Sequence, residues 1–277
     1  MKWTAEEEEA LLVGVAKNGP GKWKNILQDS KFPLSSLIAP ISISRKTAGI
    51  LGMNLDPISF MGQLGNQFFS NKFSYCLVNP NTVTHSYLKF GDDAYNGRPI
   101  QEFKKTHFEA NPFNNNYYLY LQDISINGKR LNLPKDTFKI KGNGHGGCVI
   151  DSGTTITRLK YSVYIRVKDE FEAYFARYGI QRSYDGCGTT SSVLCFYLPS
   201  GFNAFPSMTY HFFGADLYVE PKNCFLFTIS HFAPAITAGD SELTILGSWH
   251  QHNIRFIYDT DLRQLSFAPE ECDKDSP

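Results

Sequence analysis

In residues 149–155 an apolar pair, Val149-Ile150, runs straight into Asp151-Ser152-Gly153-Thr154-Thr155. Branched apolar residues that stop at an aspartate followed by Ser, Gly and Thr read as a strand delivering one carboxylate into a tight turn. Gly153 lets the backbone fold closely beneath that carboxylate. The hydroxyls of Ser152 and Thr154 are the right donors to hold its orientation. The segment therefore predicts a β scaffold that presents Asp151 where strand becomes turn.

The pattern from about Ile41 to Ser266 agrees. Short apolar or aromatic runs occur at Asn116–Leu121, Cys148–Ile150, Leu217–Val219, Thr244–Leu246 and Ile254–Tyr258. Turn-forming clusters separate them, among them Gly91-Asp92-Asp93 and Pro199-Ser200-Gly201. Asn127-Gly128 reads as a type I′ hairpin. Gly142–Gly147 reads as a hairpin loop ahead of the Asp151 strand, because no Gly-Lys-Ser/Thr follows as a phosphate cradle requires. One helix is predicted over Lys160–Tyr178, where Val163, Val167, Phe171, Tyr174 and Phe175 recur at helical spacing.

Charge excludes some functions. With 27 basic and 27 acidic residues the chain has no net preference for nucleic acid or an anionic membrane. No apolar run approaches the roughly 20 residues of a membrane span. The six cysteines (Cys76, Cys148, Cys187, Cys195, Cys224 and Cys272) include no CxxC pair. That spacing argues against zinc and for disulfides in an oxidising compartment, with the connectivity open. His250 and His252 lack a third ligand nearby and are expected to be strand or turn residues. No metal or cofactor is expected.

The first residues read differently. Thr4 caps a predicted helix to Lys17, Glu6–Glu9 suit its positive end, and Asn18-Gly19-Pro20-Gly21 stops it. Lys2-Trp3-Thr4-Ala5-Glu6 and Gly19-Pro20-Gly21-Lys22-Trp23-Lys24-Asn25-Ile26-Leu27 resemble a Myb-type DNA-binding repeat, with Trp3 and Trp23 as its core tryptophans. That family places a third helix in the major groove. Here Pro33-Leu34-Ser35-Ser36-Leu37-Ile38-Ala39-Pro40 stands in its place. Residues 1–35 are thus expected to be a truncated Myb-like helical segment that binds no nucleic acid.

From about Thr47 to Cys272 several words follow in order. They are Ala48-Gly49-Ile50-Leu51-Gly52-Met53, Lys72-Phe73-Ser74-Tyr75-Cys76-Leu77, Gly146-Gly147-Cys148-Val149-Ile150-Asp151-Ser152-Gly153-Thr154-Thr155, and Thr244-Ile245-Leu246-Gly247-Ser248-Trp249. In this order and spacing the chain resembles the C-terminal lobe of a pepsin-like aspartic protease of the plant, nepenthesin-like type. The resemblance implies a mainly β C-terminal lobe over residues 76–277. It also implies a remnant of the N-terminal lobe and crossover over residues 36–75, so that the bilobal fold is incomplete. Asp151 is the implied catalytic aspartate, and Ser152, Gly153, Thr154 and Thr155 shape the cleft. Ile245-Leu246-Gly247 is the implied triplet closing the loop around Asp151, and Ile50-Leu51-Gly52 its counterpart from the other lobe. Cys76 and Cys272 are implied to form a disulfide. Cys195 matches another disulfide position, whose usual partner would fall near Phe232-Ala233-Pro234, where no cysteine stands; Cys224 is a candidate substitute, and Cys148 and Cys187 are left unassigned. Asp259 beside Tyr258 is implied to be structural. Secretion and a protein or peptide substrate are also implied, although Met1–Glu9 shows no apolar core of a secretory leader.

The family's chemistry needs two carboxyls sharing one proton across a bound water. Asp151 opens the one Asp-Ser-Gly turn in the sequence, and no Asp-Thr-Gly occurs. The expectation is an aspartic endopeptidase by lineage that is inactive or incomplete as this chain alone. The alternative is a non-catalytic pepsin-like binding or inhibitor protein. Either way an apolar inter-lobe face would be open to association.

Overall fold

The computed structural model describes residues 51–276 except 80, 81, 83, 185, 186 and 188–193. The Myb-like segment and residues 36–50 of the expected 36–75 remnant, Ile50 among them, lie outside the described residues.

Among the described residues the backbone forms three sheets. The largest has ten strands. In spatial order they are β15 (Ile236–Gly239), β8 (Thr157–Lys160), β16 (Thr244–Leu246), β7 (Cys148–Ile150), β4 (Tyr118–Leu119), β3 (Lys104–Glu109), β18 (Gln264–Pro269), β17 (Ile254–Asp259), β1 (Lys72–Cys76) and β2 (Tyr87–Phe90). A four-stranded sheet follows β12 (Ala215–Val219), β11 (Met208–Phe212), β5 (Leu121–Ile126) and β6 (Lys129–Arg130). The third runs β13 (Phe225–Phe227), β14 (His231–Pro234), β10 (Cys195–Tyr197) and β9 (Arg182–Ser183). Helices α1 (Phe60–Phe68), α2 (Tyr161–Ala176) and α3 (Pro221–Cys224) complete the described elements of helix, with a few 3₁₀ turns.

The run expected as one strand over Asn116–Leu121 is divided. Tyr118–Leu119 belongs to the ten-stranded sheet, and from Leu121 the chain enters the second sheet, turning at the exposed Tyr120. Asn127-Gly128 joins β5 to β6 with both residues at positive φ, 49° and 78°, the backbone that a type I′ turn demands. The Gly142–Gly147 loop closes as a hairpin, with an isolated bridge between Ile140 and Gly146.

Helix α2 ends at Ala176, two residues short of the sequence expectation. Gly179 takes the left-handed conformation, and the Ile180 amide turns back to the Phe175 carbonyl. The apolar face of α2 carries the core between the sheets. The Phe175 ring centroid lies 4.8 Å from those of both Phe196 and Phe232. Phe171 meets Phe225 edge-on at 5.5 Å.

Two disulfides are present. Cys76 joins Cys272, 196 positions apart, and Cys187 joins Cys195 across a short loop. The second corrects the candidate pairing of Cys195 with Cys224. Cys187 is only 8 positions from Cys195, whereas Cys224 is buried at the end of α3, its thiol directed at the Val219 carbonyl. Cys148 is likewise a buried free thiol.

The C-terminal tail is held beside the first disulfide by an ionic clasp. The Arg255 guanidinium, fully buried in β17, donates to Glu270 at 2.6 and 2.9 Å, to Asp275 at 2.6 Å and to Ser74 at 3.2 Å. Lys89 approaches Asp275 at 2.9 Å, and Arg98 approaches Glu270 at 3.3 Å. Burial opposes the charge on Glu270, but the Arg255 hydrogen bonds outweigh it and hold the carboxyl below its usual range. Replacing Arg255 by Met leaves buried carboxylates uncompensated. The expected loss is about 3–5 kcal/mol, read as a lower urea midpoint with the disulfides intact.

Candidate active site

The Asp151 turn is built by three strands that are not neighbours in sequence. β7 leads into the turn and β8 leads out of it, yet the two do not pair. β16 lies between them, parallel to β7 through Ile245–Val149 and antiparallel to β8 through Ile245–Arg158. Its end also braces the turn. The Leu246 carbonyl accepts the Asp151 amide at 3.1 Å, and Thr157 Oγ1 accepts the Gly247 amide at 3.0 Å. One residue on, the Ser248 amide donates to the Thr154 carbonyl at 2.7 Å, and the Trp249 amide to the Thr155 carbonyl at 3.0 Å. Gly247 is required by space. A Cβ there would stand 2.8 Å from the Thr154 oxygen, the Ile156 carbon and the Thr157 nitrogen, all backbone atoms.

Asp151 is half-buried at the end of this frame. Its Oδ1 accepts the Gly153 amide at 2.8 Å, and its Oδ2 accepts the Thr154 hydroxyl at 2.6 Å. Both oxygens are thereby oriented by donors three residues away or less. Ser152 was expected to share this task, but the Gly153 amide fills that place. The Ser152 side chain instead lines the cavity that Tyr75 also borders. Thr155 is exposed and serves the frame through its carbonyl.

Asp151 opens onto a cavity of about 400 Å³. One wall is aromatic: Phe73 and Tyr75 from β1, Tyr117, and Tyr258 from β17. Leu51, Gly52 and Met53 line the cavity as well, and the Met53 carbonyl accepts the Tyr117 hydroxyl at 2.7 Å. The described part of the Ile50-Leu51-Gly52 triplet thus borders the Asp151 cavity. Ile245 lines it too, while Leu246 faces the core. Among the described lining residues Asp151 is the one carboxylate.

The floor is a phenol network. Tyr75 donates to Gln251 Oε1 at 2.5 Å and lies 2.7 Å from the Tyr258 hydroxyl, while Gln251 Nε2 donates to the Leu246 carbonyl at 2.9 Å. Burial above all, and then the neighbouring phenols and Asp151, push Tyr258 well above the usual range. Burial does the same to Tyr75 and Tyr117. These groups stay neutral beneath the carboxylate at any working pH. None of them was assigned a role from sequence. Tyr75 and Gln251 are 176 positions apart, and only the β1–β17 pairing, with Phe73 opposite Tyr258, brings the network together. Asp259 ends β17, where it accepts the Leu262 amide at 2.9 Å in a turn. His250 lies in a 3₁₀ turn, Ser248–Gln251, with His252 just beyond. Among the described residues no group of three or more His, Cys, Asp or Glu is placed to hold a metal ion.

A fold of this kind, with a strand threaded through an aspartate loop, defines a pepsin-like lobe. Residues 116–269 match the family model Xylanase inhibitor C-terminal, residues 38–92 match Xylanase inhibitor N-terminal, and residues 1–33 match a Myb-like DNA-binding domain. The chain is 30% identical over 231 residues to aspartic proteinase nepenthesin-2 of Nepenthes gracilis, covering 81% of this chain and 50% of that one. It is 34% identical over 232 residues to aspartyl protease family protein 2 of Arabidopsis thaliana, covering 81% and 46%. It therefore spans about half the length of the curated relatives it matches. Among solved structures, edgp superposes with a TM-score of 0.71 at 20% identity, over 84% of this chain and 63% of that one. Basic 7S globulin from soybean gives 0.66 at 20% identity, over 83% and 60%. The protein belongs to the xylanase-inhibitor C-terminal family of pepsin-like proteins, on the plant nepenthesin-like side of the aspartic proteases.

Gly247→Ala tests the frame. The new methyl meets backbone on three sides, so β16 must shift out of its slot. The expected cost is about 3 kcal/mol or more, with hydrogen exchange rising first at the amides of Asp151 and Gly247.

Proposed function

We propose that this chain carries one half of an aspartic endopeptidase site, with Asp151 as one of the two carboxyls. The observation that carries the reading is the Asp151 carboxylate itself, held by the Gly153 amide and the Thr154 hydroxyl at the edge of a cavity of about 400 Å³. In this reading Ser152, Gly153, Thr154 and Thr155 line the substrate path, Ile245-Leu246-Gly247 fixes the turn, and residues 36–75 contribute the crossover that brings Leu51 and Gly52 to the cavity. The substrate is a protein or peptide. The Cys76–Cys272 and Cys187–Cys195 bridges support an extracellular or luminal setting. The Myb-like stretch is assigned no nucleic-acid role, because prolines stand where its reading helix belongs.

The chemistry sets the limit. An ionised carboxylate takes a proton from the attacking water while a protonated partner polarises the scissile carbonyl, and the two roles separate because two close carboxyls share one proton. With Asp151 alone both roles fall to one group. The chain by itself is therefore expected to bind peptide without cutting it. The second reading, a pepsin-like protein that binds or inhibits without cutting, is favoured by the inhibitor descriptions of the matching family models.

The test is incubation of the purified chain with an unstructured protein from pH 3 to 7, folding being checked by circular dichroism at each pH. Pepstatin-treated and Asp151→Ala samples run alongside. The expected outcome is no cleavage above the Asp151→Ala background. Cleavage abolished by both controls would overturn the half-site reading and require a second carboxyl from another copy.

A further inference from the structure

The segment that braces the Asp151 turn is itself built around two buried imidazoles. His250 is fully buried, and His252 nearly so. His250 Nδ1 lies 2.8 Å from the Tyr210 hydroxyl of β11 and 3.0 Å from Thr157 Oγ1 of β8. Thr157 Oγ1 is the same oxygen that accepts the Gly247 amide. His252 is tied through its carbonyl to Asn223 Nδ2 of α3 at 2.7 Å and bridges Leu77 after β1. Its ring stands edge-on to Trp249, with centroids 5.2 Å apart.

Four buried polar atoms in this small region have no hydrogen-bond partner: His250 Nε2, His252 Nδ1, Trp249 Nε1 and Asn223 Oδ1. The groups facing the imidazoles from each packed element are neutral. β8 presents Thr157 and β11 presents Tyr210 to His250, Asn223 of α3 holds the His252 carbonyl, and Cys224 of α3 lies near Tyr210. Cys148 of β7 lies close enough to Tyr210 to act on it. Burial holds Tyr210 and both thiols far above their usual ranges, so none is an anion. No carboxylate acts on either histidine; the one charge that His250 would meet is a protonated His252. An imidazolium in this place would lack a counter-ion.

We propose that Ser248–His252 is an acid-sensitive latch on the Asp151 turn. Protonation of His250 and His252 expels the segment from its seat and withdraws the Ser248 and Trp249 amides from the Thr154 and Thr155 carbonyls. The carboxylate then loses its fixed geometry while the rest of the lobe stays folded.

Titration agrees with the geometry in sign. Burial lowers His250 to about 3 and His252 to about 4, from 6.5. The open segment takes up protons near pH 6.5, and the closed one only near 3–4. The closed state therefore weakens as pH falls below about 6.5, and the loss is complete near pH 3. The latch is shut at neutral pH.

Hydrogen exchange of the whole chain, with rates corrected for intrinsic pH dependence, tests this at pH 7, 6 and 5. Peptides covering residues 150–157 and 244–252 should open at least about tenfold more at pH 5 than at pH 7, while α2 keeps its protection. The His250→Gln/His252→Gln variant should hold protection in both peptides across that range. Equal behaviour of the variant and the parent chain would overturn the latch, as would loss of α2 protection together with the turn. If the double variant does not fold, the parent chain decides the matter by proton NMR. The two imidazole resonances must titrate at the pH where the Gly247 and Ser248 amides become exposed; protonation with those amides still protected would overturn the proposal. Neither readout depends on cleavage, so failure of the half-site reading leaves this test intact.

Discussion

Everything about the Asp151 region follows from the insertion of one strand between two others. β7 and β8 flank the turn in sequence and would pair as a hairpin if nothing intervened. β16 enters the gap, takes hydrogen bonds from both sides and delivers Leu246 and Gly247 to the back of the turn. Close packing leaves no room for a Cβ at Gly247, so the shape of the turn is set by backbone contact on all sides. A carboxylate that might otherwise swing freely is thereby held by two donors in one orientation. The aromatic wall and the phenol floor assemble around a point that is already rigid.

How legible this was in the sequence depends on range. The Asp151 turn was readable because its ingredients are local: a β-branched approach, a glycine and hydroxyls within a few positions. The mainly β class, the Asn127-Gly128 hairpin and helix α2 were legible for the same reason, their periodicity and turn chemistry being written in consecutive residues. The family resemblance added the closing triplet, whose partner strand is far away in the chain. What stayed hidden is tertiary. Tyr75 sits in a quoted motif, but its alliance with Gln251 and Tyr258 exists only through the β1–β17 register. The partner of Cys195 was not legible, since no cysteine stands where the resemblance places it and spacing alone carries no geometry to prefer Cys187 over Cys224. The break at Tyr120 was invisible because continuous apolar character does not reveal a change of sheet.

The two ends of the described lobe are secured by different physics. At the tail, Cys76–Cys272 and the Arg255 clasp combine a covalent tie with charges that must be satisfied in place. Buried ion pairs of this sort add little net stability compared with apolar packing, but they tolerate no misalignment. They fix where residues 270–275 lie more than they strengthen the fold. At the Asp151 turn the opposite holds: the imidazoles of the bracing segment have no charge partners, so that segment is positioned by exclusion of water rather than by salt links.

The threading of β16 also fixes when the turn comes into being during synthesis. Asp151 leaves the ribosome well before the strand that must lie against it, and α2, the whole third sheet and the β11–β12 half of the second are made in the interval. Until Leu246 and Gly247 emerge, β7 and β8 lack the partner that separates them, and the carboxylate has no stable orientation. Long-range pairing of this kind is slow and leaves strand edges exposed while it waits. A nascent chain therefore remains without its oriented carboxylate until the lobe is nearly complete, and the same late step leaves the β7 and β8 edges open to mispairing during translation.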